Sequence, residues 1–378
     1  MSQALPWVIS VDDHVVEPPH VWQRWLPSAL RDRGPRIERD TCETTFAPGS
    51  NVAIYERGGP GPVVDWWVYE DLQKPTPQVM ACAGFPPESL TLEPIAFEAM
   101  RPGCYDPRAR LADMDLNRTE RSLCFPSFPR FAGQTFTEAK DKTLALACVE
   151  AYNDWMIDEW CGDSGGRLIP LCISPMWDPA LAAIEVRRNA ARGCRAVAFT
   201  ELPANLGLPS IHDARRYWDP FLTACDETGT VVCMHIGSGS KFLTTSADAP
   251  QGVGIALTNL NATMSMTDWL LSGTLARFPR LKIAFSESQV GWMPFLMERV
   301  DTLFVKSKAW AGLDPRMTEL PSSYVKGRVF GCFFDDMIGV DLRHRIGIEQ
   351  LVFETDYPHQ DSTWPHTDRT VAEIAKRV

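Results

Sequence analysis

The 378-residue chain contains no apolar run long enough to span a bilayer, and its N-terminus lacks a basic stretch followed by an apolar one. A cytoplasmic protein without a membrane partner is therefore expected. It also lacks any C-x-x-C pair: its eleven cysteines are odd in number and scattered, which argues against zinc ribbons and thioredoxin-type redox centres. Several lie inside apolar segments, where a reduced thiol packs as a small hydrophobe. Basic residues are outnumbered, 37 Lys and Arg against 48 Asp and Glu, giving a net charge of −11. Nucleic acid is an unsuitable partner for such a surface, because phosphate binding needs clustered positive charge. No G-x-G-x-x-G or G-x-x-x-x-G-K-[ST] loop follows any strand candidate, so dinucleotide and P-loop folds are disfavoured.

What is present is a repeating alternation. Apolar strand candidates at 7–11, 121–127, 168–174, 196–200, 231–235, 281–285, 328–334 and 351–353 alternate with helical segments at 107–116, 138–160, 179–192, 217–227 and 265–277. Eight strands joined by right-handed crossovers predict an α/β fold, a (β/α)8 TIM barrel spanning 1–378 as one domain. An open doubly wound sheet is the structural alternative. Residues 31–110, rich in Gly, Pro and aromatics, lack clear periodicity and predict an irregular, lid-like insertion after the first strand. Trp155 and Trp160 on the long helix face either the barrel or a partner, which leaves a homo-oligomer open.

Ligand-type residues recur at the C-terminal ends of these strands. The first strand runs into Asp12-Asp13-His14, and a period of two turns Asp12 and His14 to one face. Glu201 follows the fourth strand, His235 ends the fifth, Glu287 follows the sixth, and Asp356 lies just past the eighth. Each residue has a structural reading of its own. Asp12 could cap a turn, Glu201 could form a surface pair, and Glu287 could cap the helix beginning near Val290. Six such side chains at one mouth make a metal site the stronger reading. Glu201 and Glu287 are candidates either as ligands or as acid–base groups, and His359 as a proton donor. Glu17 either supports a ligand from behind or is solvated, and His212 could face a substrate loop. His20 and His366 read as loop residues, His344 as part of a solvated helix face, and nothing places Asp335 and Asp336.

These residues carry a resemblance to the amidohydrolase-related family, the branch of the amidohydrolase superfamily that includes aromatic-acid decarboxylases. Matching stretches are Ser10-Val11-Asp12-Asp13-His14-Val15-Val16-Glu17-Pro18, Asp113-Met114-Asp115, Tyr152-Asn153-Asp154-Trp155 and Gly207-Leu208-Pro209-Ser210-Ile211-His212. Further ones are Phe278-Pro279-Arg280-Leu281-Lys282-Ile283, Gly291-Trp292-Met293-Pro294-Phe295 and Thr355-Asp356-Tyr357-Pro358-His359. The resemblance implies a metal-dependent barrel. In the decarboxylases of this branch, a single divalent ion is held at positions matching Asp12, His14, His235 and Asp356. Two departures replace nitrogen by oxygen: Asp12 stands where His or Glu is usual, and Glu287 near the place where the sixth strand often offers His.

Charge counting bears on the chemistry. Four carboxylates match two divalent ions, and an oxygen-rich set with two imidazoles suits iron or manganese better than zinc. The favoured expectation is thus a non-haem di-iron oxygenase, similar to a diterpenoid hydroxylase of this branch. Asp12, His14, Glu201, His235, Glu287 and Asp356 would bind two irons, with O2 as co-substrate. The insertion bearing Trp66, Trp67 and Phe85 would cover an apolar small molecule. The alternative is a hydrolase or non-oxidative decarboxylase with one Zn or Mn ion.

Overall fold

The computed structural model describes residues 5–46 and 53–378. Eight parallel strands form the centre: β1 (Val8–Val15), β6 (Thr119–Pro126), β7 (Leu168–Ile169), β8 (Ala196–Phe199), β9 (Val231–His235), β10 (Ile283–Ser286), β11 (Val329–Phe333) and β12 (Leu351–Phe353). They pair as β1-β6-β7 and as β8-β9-β10-β11-β12. Backbone hydrogen bonds close both gaps. Cys172 N–H donates to Ala196 O at 3.1 Å and Ala198 N–H to Cys172 O at 2.8 Å, which joins the β7 segment to β8. Asp356 N–H donates to Asp12 O at 2.9 Å and His14 N–H to Tyr357 O at 2.6 Å, which joins the end of β12 to β1. The result is the TIM barrel expected from the alternation.

Strands buried on both faces need no polar alternation, and β8, Ala-Val-Ala-Phe, is apolar throughout for that reason. A sleeve of Val186, Phe199, Phe221, Trp269, Phe285 and their neighbours fills the space between strands and helices. Burying each Phe-sized side chain contributes about 1.5–3 kcal/mol. Trp155 and Trp160 lie in the second core with Tyr152 and Phe136, each about 1% exposed, so they face the barrel and not a partner.

Several expected boundaries move. β1 continues to Val15, so Asp12 and His14 sit on the strand and not after it. The helix expected at 138–160 is divided: Asp141 accepts from the Thr143 and Leu144 amides and starts a new helix, Lys142–Trp155, followed by a wider turn at Met156–Trp160. The helix expected at 265–277 becomes Asn259–Leu271 and Thr274–Arg277, parted at Gly273, whose φ is +72°.

The segment expected to be irregular contains an antiparallel sheet of β2 (Arg36–Phe46), β3 (Ala53–Arg57), β4 (Val63–Tyr69) and β5 (Leu72–Pro75), ordered β3-β2-β4-β5. Residues 47–52 of that segment lie outside the described residues. The strands gave no periodic signal because β4 is buried on both faces after Val63 and β2 is half-buried along most of its length. Trp67 stacks on Phe128 at 4.6 Å, and Trp66 packs with Cys42, Val64 and Val68. Trp66 thus builds the sheet's own core, and Trp67 fastens the sheet to the barrel.

Asp13 ties the seam. Its Oδ1 accepts from Ser10 Oγ at 2.9 Å, Thr355 Oγ1 at 2.6 Å and Tyr357 N–H at 3.0 Å, and its Oδ2 accepts from Ser122 Oγ. One carboxylate thus links β1, β6 and the loop after β12. Asp13→Ala strands those buried donors, and a loss of roughly 3–5 kcal/mol is expected in urea unfolding, with Asp13→Asn costing less. Equal stability of the alanine variant and the wild type would show that the seam holds without it.

Candidate metal centre

Inside the closed seam, side chains from β1, β9, the end of β10 and the loop after β12 converge. His14 Nε2 lies 3.1 Å from His235 Nε2, 3.2 Å from Asp356 Oδ1 and 3.7 Å from Asp12 Oδ1. His235 Nε2 is 3.4 Å from Asp12 Oδ2 and 3.5 Å from Glu287 Oε2. His359 stacks on His14 with ring centres 3.6 Å apart, and its Nδ1 lies 3.2 Å from Asp356 Oδ1. Two overlapping groups, Asp12–His14–His235 and His14–Asp356–His359, have ligand atoms within 4.8 Å of one another.

These contacts are not ion pairs. Burial pushes His235 down to about 3, His359 to about 4, and His14 well below the ordinary range, so all three are neutral at pH 7. His235 Nδ1–H donates to Ile236 O at 2.6 Å, which leaves Nε2 as a bare lone pair aimed at its neighbours. The carboxyls shift the other way. Asp12 is pushed well up by burial, then by the charges of Glu354, Glu287 and Asp356. Glu287 is raised by burial and then by Asp356, and Asp356 by burial and Glu354.

Such a group of acceptors lacks donors. Both oxygens of Asp12, both of Asp356 and one of Glu354 are buried with no hydrogen-bond partner, as is His14 Nδ1. Unpartnered oxygens beside bare imidazole nitrogens are what a divalent cation requires. Asp12, His14, His235 and Asp356 therefore fit one. Glu287 and Asp356 also hold left-handed backbone, φ +53° and +52°, a strain that non-glycine residues keep where the surroundings enforce it.

Glu201 does not join either group among the described residues. Its Oε1 accepts from Gly237 N–H at 3.1 Å and from Asn261 Nδ2 at 2.9 Å, so it clasps the loop after β9. Glu354, by contrast, was not anticipated as part of the cluster. It is fully buried, and its Oε2 accepts from Glu287 N–H at 3.0 Å. Standing two positions before Asp356, it was discoverable by the same spacing that paired Asp12 with His14. Glu17 is buried and bonded to the Ser127 and Phe128 amides. Asp336 accepts from Val290, Gly291 and Gly339, and Asp335 from Gln289, so neither is at the site. His212 pairs with Asp268 on the surface, which corrects its placement against substrate, and His20 contacts Glu159.

The family model described as Amidohydrolase matches residues 20–377. The chain belongs to the amidohydrolase family. Solved structures of similar fold include an amidohydrolase from Mycobacterium avium subsp. paratuberculosis K-10, 20% identical with a TM-score of 0.66, covering 98% of this chain and 94% of that one. IDCase of Metarhizium anisopliae in apo form is 17% identical with a TM-score of 0.61, covering 98% and 92%. A 5-carboxyvanillate decarboxylase from Novosphingobium aromaticivorans, complexed with manganese, is 18% identical with a TM-score of 0.58, covering 72% and 75%. No curated protein matches the sequence.

The expected kinship with a di-iron hydroxylase gains no support; 5-carboxyvanillate and 2,6-dihydroxybenzoate decarboxylases are among the structures of similar fold. In the charge count Glu201 stands apart, its Oε1 accepting from Asn261 and Gly237, while Glu354 joins the buried carboxyls instead. The amidohydrolase family and a cluster able to hold a divalent ion are supported; iron and a second ion gain no support.

Burial raises Glu201 to about 7 from an ordinary 4.5. The folded protein then binds an extra proton between those values, so stability falls as pH rises through that window and is greatest below it. Glu201→Gln removes this dependence. The fall between pH 4.5 and 7 in denaturant titrations is expected to shrink by about 3 kcal/mol. An unchanged slope would show that Glu201 is ionised in the native state throughout.

Proposed function

We propose that this amidohydrolase-family protein is a non-oxidative decarboxylase of an aromatic carboxylic acid, using one divalent ion, manganese or zinc. The observation that carries it is the convergence of two bare imidazole nitrogens and two unpartnered carboxylates at the barrel mouth, with Glu201 engaged elsewhere. The decarboxylases of similar fold support the choice of reaction.

Asp12, His14, His235 and Asp356 would hold the ion, and two carboxylates with one divalent cation are neutral overall. When bound, the ion supplies electrostatic stabilisation of the substrate's anionic oxygens. His359 backs both ligands, stacked on His14 and with its Nδ1 3.2 Å from Asp356 Oδ1. The Phe131 ring, 4.1 Å from His235 and 5.2 Å from His14, excludes water and offers an apolar face to an aromatic ring. Glu287 is the proton carrier. Its side chain is 13% exposed whereas Asp12 and Asp356 are sealed, and its Oε2 lies 3.5 Å from His235 Nε2. In the reaction Glu287 gives its proton to the ring carbon bearing the carboxylate. That carbon–carboxylate bond then breaks, its electron pair returns to the ring, and CO2 leaves. Glu287 regains a proton from solvent.

In this reading the lid is residues 76–104, which include Phe85 but neither Trp66 nor Trp67. There Ala81, Ala83, Ile95 and Met100 pack against Val16 and Tyr357, and Cys82 N–H donates to Pro358 O at 2.9 Å. This segment covers the loop that carries Asp356 and His359.

Metal analysis and gas exchange test the reading. One manganese or zinc per chain, CO2 release from a hydroxybenzoate-type acid and no O2 uptake are expected. Glu287→Gln should retain the ion and lose on the order of 10²–10⁴ in kcat, while Glu201→Ala should retain the ion. Two irons with substrate-dependent O2 consumption would establish an oxygenase instead. Cleavage of an amide or ester without CO2 loss would establish a hydrolase.

A further inference from the structure

The loop that carries Phe131 over the candidate centre is fastened by a carboxylate that no step of the proposed reaction uses. Glu17 stands three residues past His14 and is fully buried. Its Oε1 accepts from Ser127 N–H at 3.0 Å and its Oε2 from Phe128 N–H at 2.8 Å, while Ser127 Oγ donates to Val15 O at 2.9 Å. Three bonds thus tie the exit of β1, the strand of two ligands, to the exit of β6. Burial raises the Glu17 carboxyl to about 7 and the backbone amides pull it back down, so these bonds favour its ionised form. A glutamine in its place has one acceptor for the two amides, and its own N–H2 would face the other.

From Phe128 the chain reaches Phe131 in three residues, through a tight bend. Arg130, at φ +63°, donates its amide to Ser127 O at 3.1 Å, and Gly133 N–H donates to Arg130 O at 3.2 Å. Thr135 Oγ1 closes the base by donating to Phe128 O at 2.9 Å. The far side is held by buried Gln134, whose Oε1 accepts from Ala132 N–H at 2.8 Å and whose Nε2 donates to Ser238 O at 2.9 Å on the loop after β9. Half-buried in this bend, the Phe131 ring lies 4.1 Å from His235, 5.2 Å from His14 and 6.1 Å from His359. A bend so short passes a shift of its first amides directly to the ring.

We propose that Glu17 is a positioning residue: by clamping the Ser127 and Phe128 amides it holds the Phe131 ring over the ligand imidazoles and so keeps solvent from the metal. This rests on the divalent ion of the reading above and not on the reaction assigned to it. Glu17 itself touches neither the ligands nor the reacting atoms; it acts through the ring, four residues into the loop after β6.

Manganese-loaded protein at pH 8 tests this through two readouts that need no turnover: amide hydrogen exchange at Ser127 and Phe128, and relaxation of solvent protons by the bound ion. In Glu17→Gln, exchange at the two amides is expected to rise about tenfold or more, the equivalent of one charge-assisted hydrogen bond lost. Proton relaxation should rise with it, as in Phe131→Ala, and the double variant should rise no further than Phe131→Ala alone. A merely structural Glu17 would not produce that coupling. Glu17→Asp keeps the charge but withdraws it by one methylene from both amides; it should behave alike, and it serves where the glutamine variant does not fold. Unchanged exchange would show that Phe128, packed against Trp22 and Trp67, holds the bend unaided, and would overturn the proposal. So would effects of Glu17→Gln and Phe131→Ala on relaxation that add in full, or failure of both Glu17 variants to fold. No manganese uptake by the wild type would overturn the ion and the cover's role together, whereas uptake with unchanged exchange overturns the role of Glu17 alone.

Discussion

Because β12 has only three residues, the ring of strands cannot close on its ladder alone, and the seam depends on the loop that follows. That loop is bonded to β1 through two backbone hydrogen bonds and through the Asp13 carboxylate. Arg110 secures the same place from outside: its guanidinium donates to His14 O at 2.5 Å and to Gly103 O at 2.7 Å, and lies 4.2 Å over the Tyr357 ring. Asp113 extends the strap by accepting from Tyr357 Oη at 2.6 Å and from Arg101. The motifs Asp12-Asp13-His14 and Thr355-Asp356-Tyr357 are thus two halves of one joint. In the first, Asp12 and His14 face the candidate site while Asp13 fastens the chain; in the second, Asp356 faces it while Thr355 and Tyr357 do the fastening.

That joint places like charges in a dry interior, and the electrostatic consequences follow. Burial above all, and then neighbouring negative charge, raises the proton affinity of Asp12, Glu287, Glu354 and Asp356, whereas burial lowers that of the histidines among them. A buried set of this kind is stable with protons or with a cation, and not as free anions. Metal binding must therefore displace protons, which makes affinity rise with pH. Asp13 is the contrast within the same segment. It is equally buried, but Arg110 and three hydroxyls and an amide satisfy it, so it has no call for an ion.

The barrel was legible because parallel strands sealed on both faces are apolar runs, and polar residues at their ends stand out against them. Val231–His235 and Leu351–Phe353 were read to the residue. The antiparallel sheet was not legible, since its order rests on pairings such as Arg36 with Val68 and Trp66 with Pro75 that no local period reveals. Of the site, Asp12, His14, His235, Glu287, Asp356 and His359 were found where strand ends predicted them. Glu201 shows the limit of that logic. Strand-end position brings a side chain to the mouth, but whether it is available depends on what else reaches it, here Asn261 from a helix sixty residues onward. Phe131 left no signal at all, because an aromatic in a loop reads alike whether it packs or covers a site.

The exposure of the cluster is uneven, and that unevenness bears on its chemistry. Asp12, His14 and Asp356 are sealed, His235 nearly so, while the Glu287 side chain keeps 13% of its surface. A group that must both hold a proton beside other carboxyls and exchange it each turnover needs burial to raise its affinity and an opening to refill it. Complete sealing would keep Glu287 protonated but strand it after one transfer. Full exposure would return it to the ordinary carboxyl range, where at neutral pH it has no proton to give. In the proposed reaction a partly covered Glu287 next to sealed ligands meets both needs, and it does so from a left-handed backbone, φ +53°.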